Sequence, residues 1–350
     1  MSIKGKGPLK MKKKRKLALF LSLIFTISSL FISCTKKNNT GLTTVRLCEV
    51  VRSIFYAPMY ISLEQGFFKD EGLNIDLSNG QGADKVMQNV LSKNSDIGFC
   101  GPEQVIYINN QGREDSPILF AELTQKDGSF LVSRTKETDF TWESIKGKEI
   151  IGGRPGGVPE MALEYVMKNN KLDPKKDVNI VTNIDFTATS GAFLSGTADY
   201  VALFEPTASM LEAQNGGYIV SSIGESLGNI AYTCFFCNQS YMDNNPEIIK
   251  KFTKAIYKGQ LWVQNHNSEE IASSIESYFP GTDKNIIINV INNYKKIDAF
   301  KSNPNINQLD LEKLMDVIQS YDSSLMPSKP TYKKIVNNSF SEDVVKDSTN

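Results

Sequence analysis

The residues of this chain that could do chemistry by type and spacing are few, and they suit binding better than catalysis. The single histidine, His266, stands in a polar stretch, which disfavours a Ser-His-Asp triad or a histidine metal site. Cys234 and Cys237 have the spacing of a redox or metal pair, but a zinc site would need a second pair or nearby histidines. The sequence therefore predicts no metal, no cofactor and no enzyme. It favours structural cysteines on a strand whose side chains alternate between two faces.

Loops that follow short apolar strands are better candidates for a site. In open α/β sheets, ligands bind at the carboxyl ends of the strands, near helix starts. Glycine there allows close backbone approach, aromatic rings can stack on planar ligands, and charged side chains can pair with ligand groups. The predicted ligand-binding residues are Phe55, Tyr56, Pro58, Gln81, Gly82, Cys100, Gly101, Glu103, Arg154, Gly156, Gly157, Val158, Phe186, Thr187, Phe204 and Glu205.

Each group of these residues also has a structural explanation, which the sequence leaves open. Gly156-Gly157 could form a tight strand-to-helix turn, and Phe55 and Tyr56 could belong to a small core under the first helix. The charged members could instead form surface or interlobe salt bridges. The glycine-rich loop lacks the patterns of a P-loop and of a dinucleotide fingerprint, so neither ligand class is expected.

Alternating strands and helices must position these loops. Short apolar strands and amphipathic helices alternate over residues 44–123 and again over 149–221, which is typical of parallel sheets with crossover helices. Two such units predict two α/β lobes, with the chain crossing between them near 130–138 and 221–232. The last third is helical, and the polar tail after Pro327 is expected to fray.

An export signal precedes the folded part. A positive run at residues 11–15 leads into an apolar stretch at 17–32, and the polar residues after Cys34 complete a secretory pattern. The pattern resembles a bacterial lipoprotein signal, which implies cleavage before Cys34 and lipidation of its thiol. Phe31 stands where that pattern prefers leucine, so an ordinary signal peptide or an uncleaved anchor helix are the alternatives. Met11 could be the true start.

Composition sets outer limits on function. The roughly 300 residues after the signal suggest two domains. Lysine plus arginine and aspartate plus glutamate are equal at 39 each, so no basic footprint for nucleic acid exists.

Several segments resemble one family of transport proteins. They are APMYISLEQGFFKDEGLNIDL at 57–77, DIG at 96–98, GGRPGG at 152–157, GTADYVALFEP at 196–206 and NPEIIKKF at 245–252. Together they resemble the NMT1/THI5-like and SsuA-like substrate-binding proteins of ABC importers, which serve nitrate, sulfonates, taurine and thiamine precursors. The resemblance spans roughly residues 44–320.

The resemblance implies a fold and a domain plan. It implies an α/β protein of the type II periplasmic-binding-protein class, with two lobes, two crossing segments and a ligand cleft that closes. The expected organisation is a signal peptide at 1–33, a linker at 34–43, lobe 1 at 44–130 and 225–335, lobe 2 at 131–224 and a tail at 336–350.

The resemblance also implies a function. It implies a monomer, lipid-anchored outside the bacterial cell membrane through Cys34, that delivers a small molecule to a permease and an ATPase. Aromatic and acidic residues outnumber basic ones in the predicted loops, which favours a planar nitrogen heterocycle such as a thiamine pyrimidine precursor. The alternatives are an anion receptor for sulfonate or nitrate, a pyrimidine synthase of the THI5 type, and a tethered sensory subunit.

Overall fold

Two five-stranded β-sheets organise the chain in this computed structural model, which describes residues 1–2, 5 and 41–349. The first sheet has the order β2-β1-β3-β10-β4 and the second has the order β7-β6-β8-β5-β9. In chain order the strands are β1 (Thr43–Glu49), β2 (Leu73–Asn79), β3 (Ile97–Cys100), β4 (Pro117–Thr124), β5 (Ser129–Ser133), β6 (Glu149–Ile151), β7 (Asn179–Val181), β8 (Tyr200–Phe204), β9 (Tyr218–Ser222) and β10 (Thr233–Asn238).

Each sheet is mixed, and both follow the same plan. Strands β2, β1 and β3 are parallel, and β10 runs antiparallel between β3 and β4. Strands β7, β6 and β8 are likewise parallel, and β5 runs antiparallel between β8 and β9. The expected parallel core is therefore present, while the inserted antiparallel strand was not anticipated. Mixed sheets of this kind are common in large α/β folds.

The chain passes between the sheets twice. The first passage, residues 125–128, lies between β4 and β5, a few residues before the expected 130–138. The reason is that Phe130 already belongs to β5, where it pairs with Leu203 and Ser222. The return passage, residues 223–232, falls within the expected 221–232.

Helices cover the faces of the sheets, as crossover connections require. The α-helices are α1 (Ala57–Glu64), α2 (Phe67–Asp70), α3 (Ala83–Leu91), α4 (Glu103–Asn110), α5 (Val158–Asn169), α6 (Thr189–Leu194), α7 (Thr207–Ala213), α8 (Ile223–Leu227), α9 (Gln239–Asn244), α10 (Pro246–Asn265), α11 (Ser268–Ile275), α12 (Lys284–Lys296), α13 (Gln308–Tyr321), α14 (Tyr332–Ile335) and α15 (Ser339–Thr349). Short 3-10 helices span Ile54–Tyr56, Trp142–Ile145, Phe186–Ala188, Glu276–Tyr278 and Ser323–Leu325.

The core under the first sheet is aromatic. Phe235 of β10 stacks on Phe99 with ring centroids 4.4 Å apart, and it meets Phe252 of α10 edge-on at 5.1 Å. Cys234 and Cys237 lie on the same strand, both buried and both free thiols. The strand that the sequence predicts here is confirmed. Its cysteines act as small apolar side chains in the core.

The C-terminal tail is ordered as a helix, so the expectation that it frays is wrong. In α15, Ser341 and Val344 are buried, and the Ser341 hydroxyl donates to the Phe120 carbonyl at 2.7 Å. The polar residues that suggested fraying lie on the opposite, exposed face of this amphipathic helix.

The predicted signal peptide, linker and lipidation site at Cys34 lie almost entirely outside the described residues. Internal contacts group residues 43–350 into one unit and residues 1–42 into another. The lobe boundaries at 44–130 with 225–335 and at 131–224 stay predictions. Within the described ranges, no helix combines the length and the apolar character that crossing a membrane requires.

Candidate functional site

Loops from the two sheets meet where strands end. After β1, the Ser53 hydroxyl donates to the carbonyl of Glu205, which follows β8, at 3.4 Å. On α4, which follows β3, the Tyr107 hydroxyl donates to the carbonyl of Gly156 in the loop after β6, at 3.0 Å. The strand-end rule therefore selects segments that are neighbours in space.

A cluster of aromatic side chains packs next to the first sheet, around the loop that follows β1. Ser53 caps the 3-10 helix Ile54–Tyr56 by accepting from the Phe55 amide at 3.2 Å. Phe55 is fully buried, with ring centroids 4.6 Å from Tyr294 and 5.6 Å from Tyr232. Tyr56 is also buried, and burial raises the pKa of its phenol. The rings of Phe55, Tyr232 and Tyr294 therefore pack on one another next to the loop that follows β1.

Glu103 is a buried and only partly satisfied carboxylate among these loops. It opens α4 and is only 2% exposed, yet no donor among the described residues reaches its Oε2. Its Oε1 accepts from the Gln104 side chain at 3.3 Å. Burial raises the pKa of the Glu103 carboxyl to about 7, with the charge of Arg154 acting in the opposite direction. Such a group is a strong acceptor for a ligand N–H or O–H.

The glycine-rich loop after β6 brings Arg154 opposite α4. The Gly157 amide donates to the Arg154 carbonyl at 3.0 Å, and Gly156 adopts a φ of +72°, which disfavours any side chain. The buried carboxylate of Glu160 holds the loop by accepting from the Gly153 amide at 2.6 Å. Arg154 itself is exposed, so its guanidinium is accessible to solvent.

Glu205 is fully engaged within the protein. Its carboxylate accepts from the Ser209 amide at 2.8 Å and from the Ser209 hydroxyl at 2.7 Å. It also accepts from the side-chain amide of Asn293 on α12 at 2.9 Å. This arrangement matches the structural alternative for Glu205, in which it links elements of the fold.

Comparison with known proteins identifies the family. The sequence profile of the family described as "NMT1/THI5 like" matches residues 54–270. The chain is 42% identical over 330 residues to "Putative binding protein YtlA" of Bacillus subtilis (strain 168), covering 94% of this chain and 98% of that protein. This chain belongs to the NMT1/THI5-like family.

Two further similarities are more distant. A 4-amino-5-hydroxymethyl-2-methylpyrimidine phosphate synthase of Aspergillus parasiticus is 23% identical over 237 residues, covering 64% of this chain and 66% of that enzyme. The crystal structure of the periplasmic aliphatic sulphonate binding protein SsuA from Escherichia coli superposes with a TM-score of 0.67 at 14% identity, covering 83% of this chain and 96% of that one. The second similarity establishes the periplasmic-binding-protein fold.

Several predicted residues are buried at the strand-end loops. Gly101 lies against the carboxylate of Glu103, since a Cβ there would sit 2.0 Å from Oε2. Cys100 is buried, and its thiol approaches the Gly101 carbonyl at 3.5 Å. Gly157 and Val158 are buried at the start of α5. Pro58, within the first turn of α1, is likewise buried.

Gln81, Gly82 and Thr187 are not brought to these contacts. Gln81 and Thr187 are exposed, and Gly82 donates its amide to the Val50 carbonyl at 3.1 Å. Phe204 is half-buried at the end of β8, and the Phe186 side chain lies outside the described part of the structure. Their roles in binding stay predictions.

Sequence reasoning missed four residues that the fold brings near the strand-end loops. Asp127 follows β4, so the strand-end rule could have found it. Tyr107 stands four residues after Glu103 on α4, which places it on the same helix face. Tyr232 and Asn293 carried no local signal, because they reach the site from the return passage and from α12.

Two surface hollows lie apart from these residues. One, of about 710 Å³, is lined along α3 by residues that include Lys85, Asn89 and Arg113. The other, of about 220 Å³, lies at the start of β3 around Asp96 and Tyr241. Both are open, the first has no aromatic lining and the second has a single aromatic residue, Tyr241, whereas small-molecule sites are typically lined by several, so we favour the strand-end cluster on chemical grounds.

Proposed function

We propose that this protein is the solute-binding component of an ABC importer and that its ligand is a planar nitrogen heterocycle, such as a thiamine pyrimidine precursor. The observation that carries the proposal is the Glu103 carboxylate. It is buried at the strand-end loops, beside aromatic rings, with one oxygen that accepts no hydrogen bond within the described chain. A ring N–H or an amino group would satisfy that oxygen.

The charge at the site favours a donor-rich ligand over an anion. In its ionised form, a buried carboxylate repels a sulfonate or nitrate group, and an anion would require a cationic or donor-rich pocket. Arg154 supplies a positive charge, but it is exposed to solvent.

The proposed mechanism is closure of two lobes on the ligand. The hydrogen bonds from Tyr107 to Gly156 and from Ser53 to Glu205 join elements of the two sheets. A ligand that contacts both sides would favour this closed arrangement by its differential affinity for it. A permease and an ATPase would then receive the loaded protein, which acts as a monomer.

Calorimetric titration tests the ligand class. We expect 4-amino-5-hydroxymethyl-2-methylpyrimidine to bind the purified protein, and ethanesulfonate and nitrate not to bind. Glu103→Gln should weaken pyrimidine binding about tenfold, equivalent to about 1.4 kcal/mol, because the amide offers a poorer acceptor. The exposed Glu114→Gln is the control. Tight binding of ethanesulfonate with no binding of the pyrimidine would refute the proposed ligand class.

An anion receptor is the second candidate. The exposed Arg154 and the left-handed Gly156 beside a helix start favour it, since both could contact a sulfonate. In that case Arg154→Ala would abolish sulfonate binding, whereas the heterocycle proposal expects no sulfonate binding to lose.

A pyrimidine synthase is the least favoured function. The one histidine, His266, stacks on Trp262 at 3.7 Å, and its Nδ1 lies 2.7 Å from the Trp262 carbonyl. This places the imidazole at the end of α10, in contacts unrelated to the strand-end loops. Loss of mass from His266 after incubation with iron and pyridoxal phosphate would establish the enzyme instead.

We also propose that the protein is anchored outside the cell membrane by a lipid on Cys34. The support is the charged, apolar and polar order of residues 11–39 with a cysteine at the expected cleavage point. Cys34→Ala should release the protein into the medium or leave an unprocessed precursor. Mature Cys34→Ala protein that stays in the membrane fraction would contradict the proposed anchor.

A further inference from the structure

Asp127 lies at the point where the two passages between the sheets touch. It belongs to residues 125–128, which connect β4 to β5. The return passage packs directly against it, since a Cβ on Gly224 would lie 2.0 Å from the Asp127 carbonyl oxygen. In addition, the Gly128 carbonyl accepts from the Tyr294 hydroxyl at 3.0 Å. Asp127 is therefore held firmly where the two passages between the sheets meet.

The side chain of Asp127 resembles that of Glu103 in being buried and only half satisfied. It is fully buried, and its Oδ1 accepts from the Ser129 amide at 2.8 Å and from the Ser129 hydroxyl. Its Oδ2 has no hydrogen-bond partner within the described residues. A buried oxygen without a donor destabilises the folded state, so such a group calls for a functional explanation.

The two half-satisfied carboxylates border the same region. Burial, and then the charge of Asp127, raise the pKa of the Tyr232 phenol, and Tyr56 and Glu103 act on it in the same direction. Tyr232 thus lies directly beside Asp127, with which its side chain interacts, and within electrostatic range of Glu103. Phe55 closes the side next to Gly128, where a Cβ would lie 2.7 Å from its ring.

We propose that Asp127 is a second ligand-contacting carboxylate, and that Asp127 and Glu103 together select a ligand with two separate hydrogen-bond donors. This inference rests on the proposed function, and it adds the requirement that the ligand carry two separate hydrogen-bond donors. A substituted pyrimidine with an amino group and a hydroxymethyl group has two such donors. Because Asp127 belongs to the passage between the sheets, its contact would also link ligand occupancy to the geometry of that passage.

Asp127→Asn provides the direct test. The asparagine keeps Oδ1 for Ser129 and replaces Oδ2 with an N–H₂ group that would oppose a ligand donor. With the full-length protein, we expect the affinity for 4-amino-5-hydroxymethyl-2-methylpyrimidine to fall at least tenfold. Unchanged affinity in a folded Asp127→Asn protein would overturn the proposal.

A matched control lies at the other end of the same strand. Asp115 precedes β4, and it accepts from the amide and hydroxyl of Ser240 at 2.8 and 2.7 Å, much as Asp127 accepts from Ser129. Asp115→Asn should leave ligand affinity unchanged. Ser129→Ala should lower the melting temperature with less than a threefold effect on affinity. A purely structural role would make Asp127→Asn behave like Ser129→Ala.

A second measurement covers the case in which Asp127→Asn does not fold. The Glu103→Gln protein is titrated with the same pyrimidine, with its analogue lacking the amino group and with its analogue lacking the hydroxymethyl group. Because Asp127 still accepts one of the two donors, the analogue that lacks that donor should bind at least fivefold more weakly than the pyrimidine itself. Equal affinity for all three probes would overturn the proposal. If the wild-type protein binds none of the probes, the proposed function itself fails.

Discussion

The buried carboxylates of this protein differ in how they are satisfied, and that difference separates structural from functional candidates. Glu49 is buried and accepts from the Tyr60 hydroxyl at 2.5 Å and from the Arg52 guanidinium at 2.7 Å. Glu205 accepts from three donors, whereas Glu103 keeps an oxygen without one. Satisfied buried carboxylates hold the fold together. Glu160 also has an oxygen without a donor, but its other oxygen holds the loop after β6, whereas Glu103 accepts from its neighbour Gln104 and is better suited to a ligand.

Glu205→Ala should destabilise the protein. The substitution leaves the Ser209 amide and the Asn293 side chain without their shared acceptor, and buried donors left in this way cost about 1 to 3 kcal/mol. Chemical denaturation in urea would measure the loss in the free energy of unfolding. The exposed Glu225→Ala is the control and should change it by less than about 0.5 kcal/mol. Equal stability of the two variants would contradict the structural role of Glu205.

At the scale of elements, helices far along the chain complete the first sheet. Helix α10 presents Phe252 to β10, and α15 packs beside β4 through Ser341. Helix α4 carries Glu103 and Tyr107 one turn apart, so a single helix face presents both an acceptor and a link to the loop after β6. The position of the site thus depends on helices that are themselves held by tertiary packing.

Val344→Asp tests whether α15 is an integral part of the fold. Val344 is 1% exposed, and a carboxylate there would be buried without a partner, so we expect a loss of several kcal/mol in the free energy of unfolding. On the exposed face of the same helix, Asp347 pairs with Lys250 at 3.4 Å. Asp347→Asn should cost less than about 0.5 kcal/mol. A small effect of Val344→Asp would mean that α15 detaches easily.

At the scale of the whole molecule, burial of carboxylates makes stability depend on pH. Burial raises the pKa of Glu103 and Glu160 to about 7, of Asp127 to about 6 and of Glu122 to about 8. Lys301, at 3.3 Å from Glu122, and Arg154 near Glu103 oppose these shifts without cancelling them. The folded protein therefore holds protons between about pH 5 and 8 that the unfolded chain has already released.

We expect the ligand-free protein to be more stable near pH 5.5 than near pH 8. Where the folded state binds more protons than the unfolded state, the free energy of unfolding falls as pH rises. Carboxyls with lowered pKa, such as Glu71 beside Lys254 and Lys258, lose their stabilising effect only below about pH 4.5. Urea denaturation at several pH values should show a loss of at least about 1 kcal/mol between pH 5.5 and 8. In Glu103→Gln the loss should be smaller. Stability that rises over this interval would contradict the assignment.

Much of the fold was accessible from local sequence. Apolar periodicity and Gly or Pro punctuation indicated the parallel strands and most helices, since these signals act within a few residues. The tail helix α15 was missed because its polar residues mask two buried positions, Ser341 and Val344. The antiparallel insertion of β5 and β10 into the two sheets was not predicted, because pairing partners such as Phe130 and Leu203 lie far apart in sequence.

The sequence by itself determined the alternation of strands and helices, the loops that end the strands, and the aromatic and acidic character of those loops. Each of these follows from residue type and short-range spacing. Only the tertiary structure decided which carboxylates find donors. Glu205 meets Asn293 across 88 residues, whereas Glu103 Oε2 and Asp127 Oδ2 meet no donor within the described chain. Hydrogen-bond partners are selected by distance in space, and packing of the two sheets sets those distances.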